Sequence, residues 1–134
     1  MKYTQEMILQ SPSGYCMPFE EKGKEVEMTL GYGKQRHPLS GEEFFHHGVD
    51  FNAPHYLLSA IATGVVSGIG NDSQHGAYQV IRYGDYEVTY SHLSNILANY
   101  GKPVKAGQVV AVSGETLHME VRFRGEELNP IEFL

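Results

Sequence analysis

Two segments that lie far apart in the chain carry side chains able to bind a metal ion. The first, residues 45–51, contains His46 and Asp50, and the second, residues 117–120, contains His118. Two imidazoles and one carboxylate form the ligand set of a catalytic zinc site, in which zinc takes three protein ligands and leaves a fourth position for water. Imidazole and carboxylate ligands also accept iron, nickel or copper, so the residue types alone favour a divalent metal ion rather than one element.

The spacing of these residues sets conditions on the backbone. Four residues of straight strand span about 13 Å, which is too far for His46 and Asp50 to bind one ion at roughly 2 Å each. The chain must therefore bend between them, and Gly48 is the residue that permits the bend. Thr116 and His118 alternate, so in a strand they share one face and face the same cavity. His118 could then complete the site from a second strand.

Length, charge and composition limit the class of protein. At 134 residues the chain is expected to form one domain, with an irregular N-terminal lead-in over residues 1–29 and a β domain over residues 30–134. Sixteen acidic against ten basic side chains argue against a nucleic-acid partner. Cys16 is the single cysteine, so an internal disulfide is excluded. We find neither a secretory signal in residues 1–10 nor a stretch of roughly 18 apolar residues that could span a membrane.

Short apolar or alternating runs predict an all-β fold with antiparallel sheets of many short strands. Residues 60–66 and 109–112 are expected to form buried strands. Residues 78–83 and 86–92 flank Gly84 and Asp85, which predicts a hairpin with a type II′ turn and with Arg82 opposite Glu87. In that register His92 shares a face with Val88 and Tyr90. The one plausible helix is short and covers residues 93–100.

An ordered series of motifs resembles the lysostaphin-type zinc metallopeptidases, a family of cell-wall endopeptidases. The family's H-x-x-x-D signature corresponds to His46 and Asp50, and its H-x-H signature is retained only at His118. The similarity extends from about Leu30 to Leu134. It includes the blocks at residues 33–41, 46–54, 62–66, 90–93, 104–109, 117–122 and 129–130. The resemblance implies that residues 30–134 form a metallopeptidase-like β domain.

The resemblance also implies a site and a substrate. The metal ligands would be His46, Asp50 and His118, holding one zinc ion with water in the fourth position. His92 would be the histidine that the family places beside the zinc to stabilise the transition state. The implied substrates are peptidoglycan peptides, with a protein partner in the groove as the alternative. The cell envelope or the extracellular space would be the location if the family substrate holds.

The chain departs from the family pattern at the position that supplies the general base. Thr116 stands where the first His of H-x-H is expected, and the preceding loop is several residues shorter. A threonine hydroxyl does not accept a proton near neutral pH, although it can hydrogen-bond a metal-bound water. Glu115 and His75 are the possible substitute bases. Glu120 could orient a neighbouring ligand from outside the ligand set, or form a strand-face salt bridge with Arg122 or Lys105.

Three functions remain open from the sequence. The first is a zinc endopeptidase acting on peptidoglycan cross-links, catalytically altered at Thr116. The second is a relative that binds the metal ion without hydrolysis and serves as a binding or regulatory module. The third is a structural β domain with a vestigial site, which three intact ligand types argue against.

Overall fold

The computed structural model describes residues 2–3 and 26–133, and these residues form twelve strands and one short helix. Most of the predicted lead-in, residues 1–29, and Cys16 with it, lies outside the described residues. The lead-in residues that are described, 2–3 and 26–29, are not irregular as predicted but belong to the strands Lys2–Tyr3 and Val26–Leu30. The elements in chain order are β1 Lys2–Tyr3, β2 Val26–Leu30, β3 Gly33–Arg36, β4 Glu43–His46, β5 Val49–Asn52, β6 Leu57–Ser59, β7 Gly64–Asp72, β8 Gly76–Tyr83, β9 Tyr86–Ile96, β10 Pro103–Val104, β11 Val109–Phe123, β12 Glu126–Leu128 and α1 Pro130–Phe133.

One large antiparallel sheet dominates the fold. Its strand order is β1-β2-β5-β11-β9-β8-β7-β10, with β6 and β12 also pairing with β11, while β3 and β4 form a separate hairpin. The 15-residue strand β11 is the centre of this arrangement because it pairs with β5, β6, β9 and β12. The predicted all-β fold with many short antiparallel strands is confirmed.

The predicted hairpin is present as β8 and β9. Arg82 pairs with Glu87 and Ile81 pairs with Val88, as the two-residue loop requires. Gly84 has a φ of 63°, whereas its neighbour in the turn is not among the residues of positive φ. This combination matches a type II′ turn, in which only the first central residue needs positive φ.

Two predictions of secondary structure, a helix at residues 93–100 and a strand at residues 60–66, are wrong. Residues 93–100 are not a helix: β9 continues to Ile96, and residues 97–101 form the turn that follows. Leu93 pairs with Ser113 and Ile96 with Ala111, so hydrogen bonding to β11 outweighs the local helix signal. Likewise, residues 60–66 are not one strand. β6 ends at Ser59 and β7 begins at Gly64, although the intervening Ala60 and Ile61 are buried.

Strand β11 separates the hydrophobic core from the face that carries the candidate site. Leu117, Met119 and Val121 are fully buried on one side. His118 and Glu120 alternate with them and are only partly buried, so they lie on the opposite face of the sheet. The predicted buried strand at residues 109–112 forms the beginning of this same β11.

Candidate metal centre

The pairing of β5 with β11 brings two predicted ligands side by side. Asp50 lies directly opposite His118 in this register, and Asp50 Oδ1 is 2.6 Å from His118 Nδ1. His46 reaches the same carboxylate from the end of β4, with its Nε2 3.4 Å from Asp50 Oδ1. One ligand atom from each of the three residues lies within 4.8 Å of the others.

This donor set fits a zinc ion. Two ligands on a tetrahedral zinc with bonds of about 2.0–2.1 Å stand roughly 3.3 Å apart, close to the 3.4 Å between His46 and Asp50. The shorter contact between Asp50 and His118 is a hydrogen bond. His46 Nδ1 donates to the Gly31 carbonyl at 2.9 Å, which fixes the ring and leaves Nε2 free to bind a metal ion. His46 Nε2, Asp50 Oδ1 and His118 Nδ1 are therefore the atoms that would hold the metal.

Gly48 is required at this site for a reason that differs from the predicted one. It is absent from the residues of positive φ, so the bend does not use the conformational freedom special to glycine. A Cβ at Gly48 would instead collide with the Met119 carbonyl oxygen and stand 2.9 Å from both Glu120 Cγ and His118 Cε1. The absence of a side chain lets the His46–Asp50 segment lie against β11.

The electrostatics of His118 are those of a cation between two carboxylates. Burial lowers the pKa of His118, but the hydrogen bond with Asp50 and the interaction with Glu120 outweigh it and raise the pKa to about 9. In the metal-free protein His118 is therefore an imidazolium at neutral pH. A metal ion that binds at Nδ1 must displace this proton.

His92 reaches the site face because of an unusual backbone conformation. Its φ is 63°, a region that residues other than glycine seldom occupy. Val88, Tyr90 and Ser91 are fully buried while His92 is exposed, so the prediction that His92 shares a face with Val88 and Tyr90 is wrong. The positive φ interrupts the alternation and turns the His92 ring out of the core.

The turned-out ring lies beside the ligands. The ring centroids of His92 and His118 are 6.1 Å apart. Burial and then the neighbouring His118 lower the pKa of His92, so its ring is neutral near pH 7. A neutral imidazole can donate one hydrogen bond and accept another.

Thr116 lies in a segment where β11 loses its register with β9. Ser113 pairs with Leu93 and His118 pairs with Ser91, so four residues of β11, 114–117, have no counterpart on β9. Thr116 is exposed there, and among the described residues no hydrogen bond links its side chain to a predicted ligand. Buried Leu117 separates Thr116 from His118 along β11, so the two residues are on the same face of the strand, as the alternation predicts, although no hydrogen bond joins these two described residues.

The two proposed substitute bases are placed differently. The Glu115 carboxylate is 85% exposed and lies 3.5 Å from His55 Nε2, in a surface pair. His75 is 25% exposed, and its Nε2 lies 3.6 Å from Glu120 Oε2. Glu120 Oε1 lies 3.7 Å from His118 Nε2, so Glu120 stands between the ligand and His75.

Sequence reasoning missed two partners of the site. Asp72 accepts the backbone N–H of Gln74 and of His75 and also contacts the His75 ring. The Asp-Ser-Gln-His spacing was the available signal, because an Asp side chain often caps the two or three residues that follow it in a turn. The Gly31 carbonyl that orients His46 had no signal, because a backbone oxygen carries no side-chain identity.

An open groove of about 680 Å³ runs from these residues across the outer face of β8, β9, β11 and β12. It is lined by His47, Asp72, Gln74, His75, Tyr78, Val80, Glu87, Thr89, Glu120, Arg122, Gly125 and Glu127. The three ligands are not in this lining, and the groove borders the metal centre through Glu120, whose Oε1 lies 3.7 Å from His118 Nε2. No helix in the described part of the chain is long and apolar enough to cross a membrane.

The family assignment follows from a match over residues 44–130, which contain all three candidate ligands, to the family described as Peptidase family M23. The chain belongs to peptidase family M23. Relatives include the peptidoglycan DD-endopeptidase ShyB of Vibrio cholerae, 32% identical over 116 residues, which are 79% of this chain and 27% of ShyB. The murein hydrolase activator NlpD of Escherichia coli is 31% identical over 111 residues, covering 76% of this chain and 29% of NlpD.

A solved peptidase structure has a similar fold. A zinc-containing peptidase from Vibrio cholerae aligns with a TM-score of 0.75 and 29% identity, over 86% of this chain and 38% of that chain. The chain therefore spans less than a third of ShyB and NlpD and about two-fifths of the solved peptidase. The family match and the similarity to a zinc-containing peptidase favour a metal cofactor, and the His-Asp-His cluster is a candidate site for it.

Proposed function

We propose that this M23 domain binds one zinc ion through His46, Asp50 and His118 and hydrolyses peptide cross-links of peptidoglycan at a reduced rate. The convergence of the three ligand atoms within 4.8 Å carries this proposal. It has further support from ShyB, a relative named as a peptidoglycan DD-endopeptidase. The hydrolysis would take place in the cell envelope or outside the cell, where peptidoglycan is found.

Each part of the site has a chemical role in this proposal. A zinc ion, when bound, supplies Lewis-acid chemistry and lowers the pKa of a water molecule to about 7. The groove holds the peptide across β8, β9 and β11, beside Glu120. His92, a neutral imidazole 6.1 Å from the His118 ring, donates a hydrogen bond to the oxygen on which negative charge develops.

The reduced rate follows from the missing proton acceptor. A positioned imidazole that takes and returns a proton contributes roughly 10²–10⁴-fold to such a reaction. Thr116 occupies that sequence position without an imidazole and is exposed. Glu115 is exposed and paired with His55, which makes it a weak candidate for a replacement.

The second candidate function is a metal-binding domain that does not hydrolyse its ligand. The exposed Thr116, in a segment that has left the β9 register, favours this alternative. NlpD, which matches 76% of this chain, is named as an activator of murein hydrolases, so a regulatory role has a precedent among relatives. In that case a peptide or a protein partner would occupy the groove without being cut.

A cleavage assay on cross-linked muropeptides separates the two functions. The zinc-loaded protein is expected to cleave slowly, to lose activity when a chelator removes zinc, and to regain it when zinc is restored. His92→Ala should lower the remaining rate while zinc stays bound. A protein that binds zinc but produces no cleavage above the metal-free control would support the non-hydrolytic alternative, and a protein that binds no metal would contradict both.

A further inference from the structure

Four ionisable side chains extend outward from the candidate metal centre in one continuous series. His118 Nε2 lies 3.7 Å from Glu120 Oε1, and Glu120 Oε2 lies 3.6 Å from His75 Nε2. His75 Nδ1 lies 3.1 Å from both carboxylate oxygens of Asp72. Imidazole and carboxylate therefore alternate from the inner residue to the loop between β7 and β8.

The two inner members of this series, His118 and Glu120, decide which nitrogen of His118 can bind a metal ion. Nδ1 faces Asp50, and Nε2 faces Glu120. A carboxylate opposite Nε2 favours the tautomer that keeps its proton on Nε2, and that tautomer leaves the Nδ1 lone pair free. Glu120 can do this only while its carboxylate is held toward the His118 ring.

The outer half of the series restrains Glu120. Strand pairing fixes the Glu120 backbone opposite Thr89, but its side chain is long and borders an open groove. His75 Nε2 lies 3.6 Å from the second carboxylate oxygen, so an imidazole stands on each side of the Glu120 carboxylate. Asp72 in turn fixes His75, because it accepts the His75 backbone N–H at 2.6 Å and contacts its ring.

The same loop also supports His92. The His75 carbonyl accepts the backbone N–H of His92 at 2.8 Å. This hydrogen bond holds the residue whose positive φ turns its ring toward the ligands. The loop at residues 72–76 thus contacts two parts of the site, the Glu120 carboxylate through the His75 side chain and the His92 backbone through the His75 carbonyl.

We infer that His75 is a positioning residue, which with Asp72 holds Glu120 so that His118 presents Nδ1 to the metal ion. This inference rests on the proposed metal binding and deepens it. It also gives His75 a role different from that of a substitute base, because the nitrogen facing the site is directed at Glu120 rather than at the three ligand atoms. Outer partners of metal-binding histidines typically change metal affinity 10–100-fold when they are replaced.

Zinc affinity, measured on the full chain by competition with a chelator, tests the inference. His75→Asn keeps an amide near the position of Nδ1, facing Asp72, but is too short to reach Glu120. We expect it to weaken zinc binding by roughly tenfold, the lower end of the range for an outer partner. His75→Gln places an amide donor near the position of Nε2 and should retain more affinity than His75→Asn. The visible spectrum of the cobalt-substituted protein should change with His75→Asn and less with His75→Gln.

A double-mutant cycle distinguishes action through Glu120 from a general structural effect. If His75 acts through Glu120, His75→Asn should cost little further affinity in a Glu120→Gln background, because the partner that it positions is already altered. His55→Asn is the matched control: it removes an imidazole from a surface pair with Glu115 and should leave zinc affinity unchanged. Asp72→Asn makes a second test that keeps His75 itself, and we expect it too to weaken zinc binding.

The outcomes separate this inference from the proposed function. Wild-type protein that binds no zinc would overturn the proposed function. Wild-type protein that binds zinc, with His75→Asn and Asp72→Asn binding it equally well, would overturn the positioning role alone. Losses that add fully in the double mutant would also overturn it. Circular dichroism and melting temperature identify any variant that fails to fold, and Asp72→Asn then replaces His75→Asn in the comparison.

Discussion

The two halves of the candidate site are built on different kinds of structure. The ligands Asp50 and His118 stand opposite each other on paired strands, and both are partly buried. The position expected to supply the general base, Thr116, lies only two residues before His118 but in a segment without partners on β9. One half depends on the register between β5 and β11, and the other depends on how a short part of β11 departs from the β9 register.

This difference explains how a chain can retain one half of a site and change the other. Strand register is fixed by the buried face, where Leu117, Met119 and Val121 pack in the core. Any slip that moved His118 would expose these residues, so packing preserves the ligand geometry. The segment at residues 114–116 carries no such constraint, since Glu115 and Thr116 are exposed. Metal binding and proton transfer can therefore be lost independently.

The largest effect is expected from restoring an imidazole at residue 116, in the part of β11 that has no partner on β9. Thr116→His should raise the rate of muropeptide cleavage by roughly 10²–10⁴-fold, the usual contribution of a positioned general base. Zinc affinity should change little, because the three ligands are untouched. The rate is measured on zinc-loaded protein with cross-linked muropeptides.

Thr63→His, at an exposed turn position, is the control for adding a histidine and should leave the rate unchanged. Equal cleavage by wild type and Thr116→His would mean that residue 116 does not limit catalysis. The contrast between the two halves would then have no catalytic consequence.

The next largest effect, on zinc affinity, is expected from removing a ligand that stands on the paired strands β5 and β11. Asp50→Ala removes a ligand and the carboxylate that faces both His46 and His118. Zinc affinity should fall by more than the roughly 100-fold that loss of an outer partner can cost. Chelator competition measures the change.

Asp85→Ala provides the comparison for removing a carboxylate, since Asp85 forms a surface pair with Arg124 at the far hairpin turn. It should bind zinc as the wild type does. If Asp50→Ala retained wild-type affinity, the ligand assignment would be wrong.

The raised pKa of His118 predicts opposite pH effects on metal binding and on the stability of the metal-free fold. Below a pKa of about 9 the metal ion competes with a proton, so zinc affinity should rise by up to about tenfold per pH unit between pH 7 and 8.5. The stabilisation from protonated His118 is fully present below the ordinary value of 6.5 and is lost as the pH rises through about 9.

Two titrations check this prediction. Metal binding at pH 7 should release about one proton, which calorimetry in buffers of different ionisation enthalpy can measure. The melting temperature of metal-free protein should fall between pH 6.5 and 9. A zinc affinity that stays constant over this window would show that His118 is not the protonated ligand.

The smallest effect is expected from disturbing the close contact between Gly48 and β11. Gly48→Ala adds a Cβ that stands 2.9 Å from His118 Cε1 and collides with the Met119 carbonyl oxygen. The fold should lose about 1–3 kcal/mol, as is typical of overpacking, and zinc binding should weaken with it. Urea denaturation measures the loss.

Gly31→Ala is the matched control, because its added Cβ would meet nothing closer than 3.5 Å and its carbonyl group is retained. Its stability and zinc affinity should stay near wild type. If Gly48→Ala were equally well tolerated, the close approach at Gly48 would not position the ligands.

Local patterns predicted the fold well wherever the local signal and the tertiary pairing agree. The β8–β9 hairpin, with Arg82 opposite Glu87, follows from a two-residue Gly-Asp loop. Residues 93–100 carry a local helix signal, but pairing of β9 with a distant strand overrides it. Sequence separation hides such pairing, because Leu93 and Ser113 are brought together only by the whole sheet.

The sequence predicted the residue types of the site better than the residues and backbone groups that position them. The motif at His46 and Asp50 indicated a bend, but the sequence did not reveal that Gly48 is needed for closeness to β11 rather than for its φ. The exposure of the His92 side chain could not be predicted, because its positive φ interrupts the regular alternation of buried and exposed residues along β9. The contact of His75 with Glu120 joins residues 45 positions apart, beyond any local pattern.

Zinc stoichiometry combined with X-ray absorption on the wild-type protein tests the central claim most directly. The account predicts one zinc per chain, bound by two imidazole nitrogens and at least one carboxylate oxygen at about 2.0–2.2 Å. A metal content at background level after zinc loading would contradict it. So would a zinc ion whose spectrum lacked imidazole ligands.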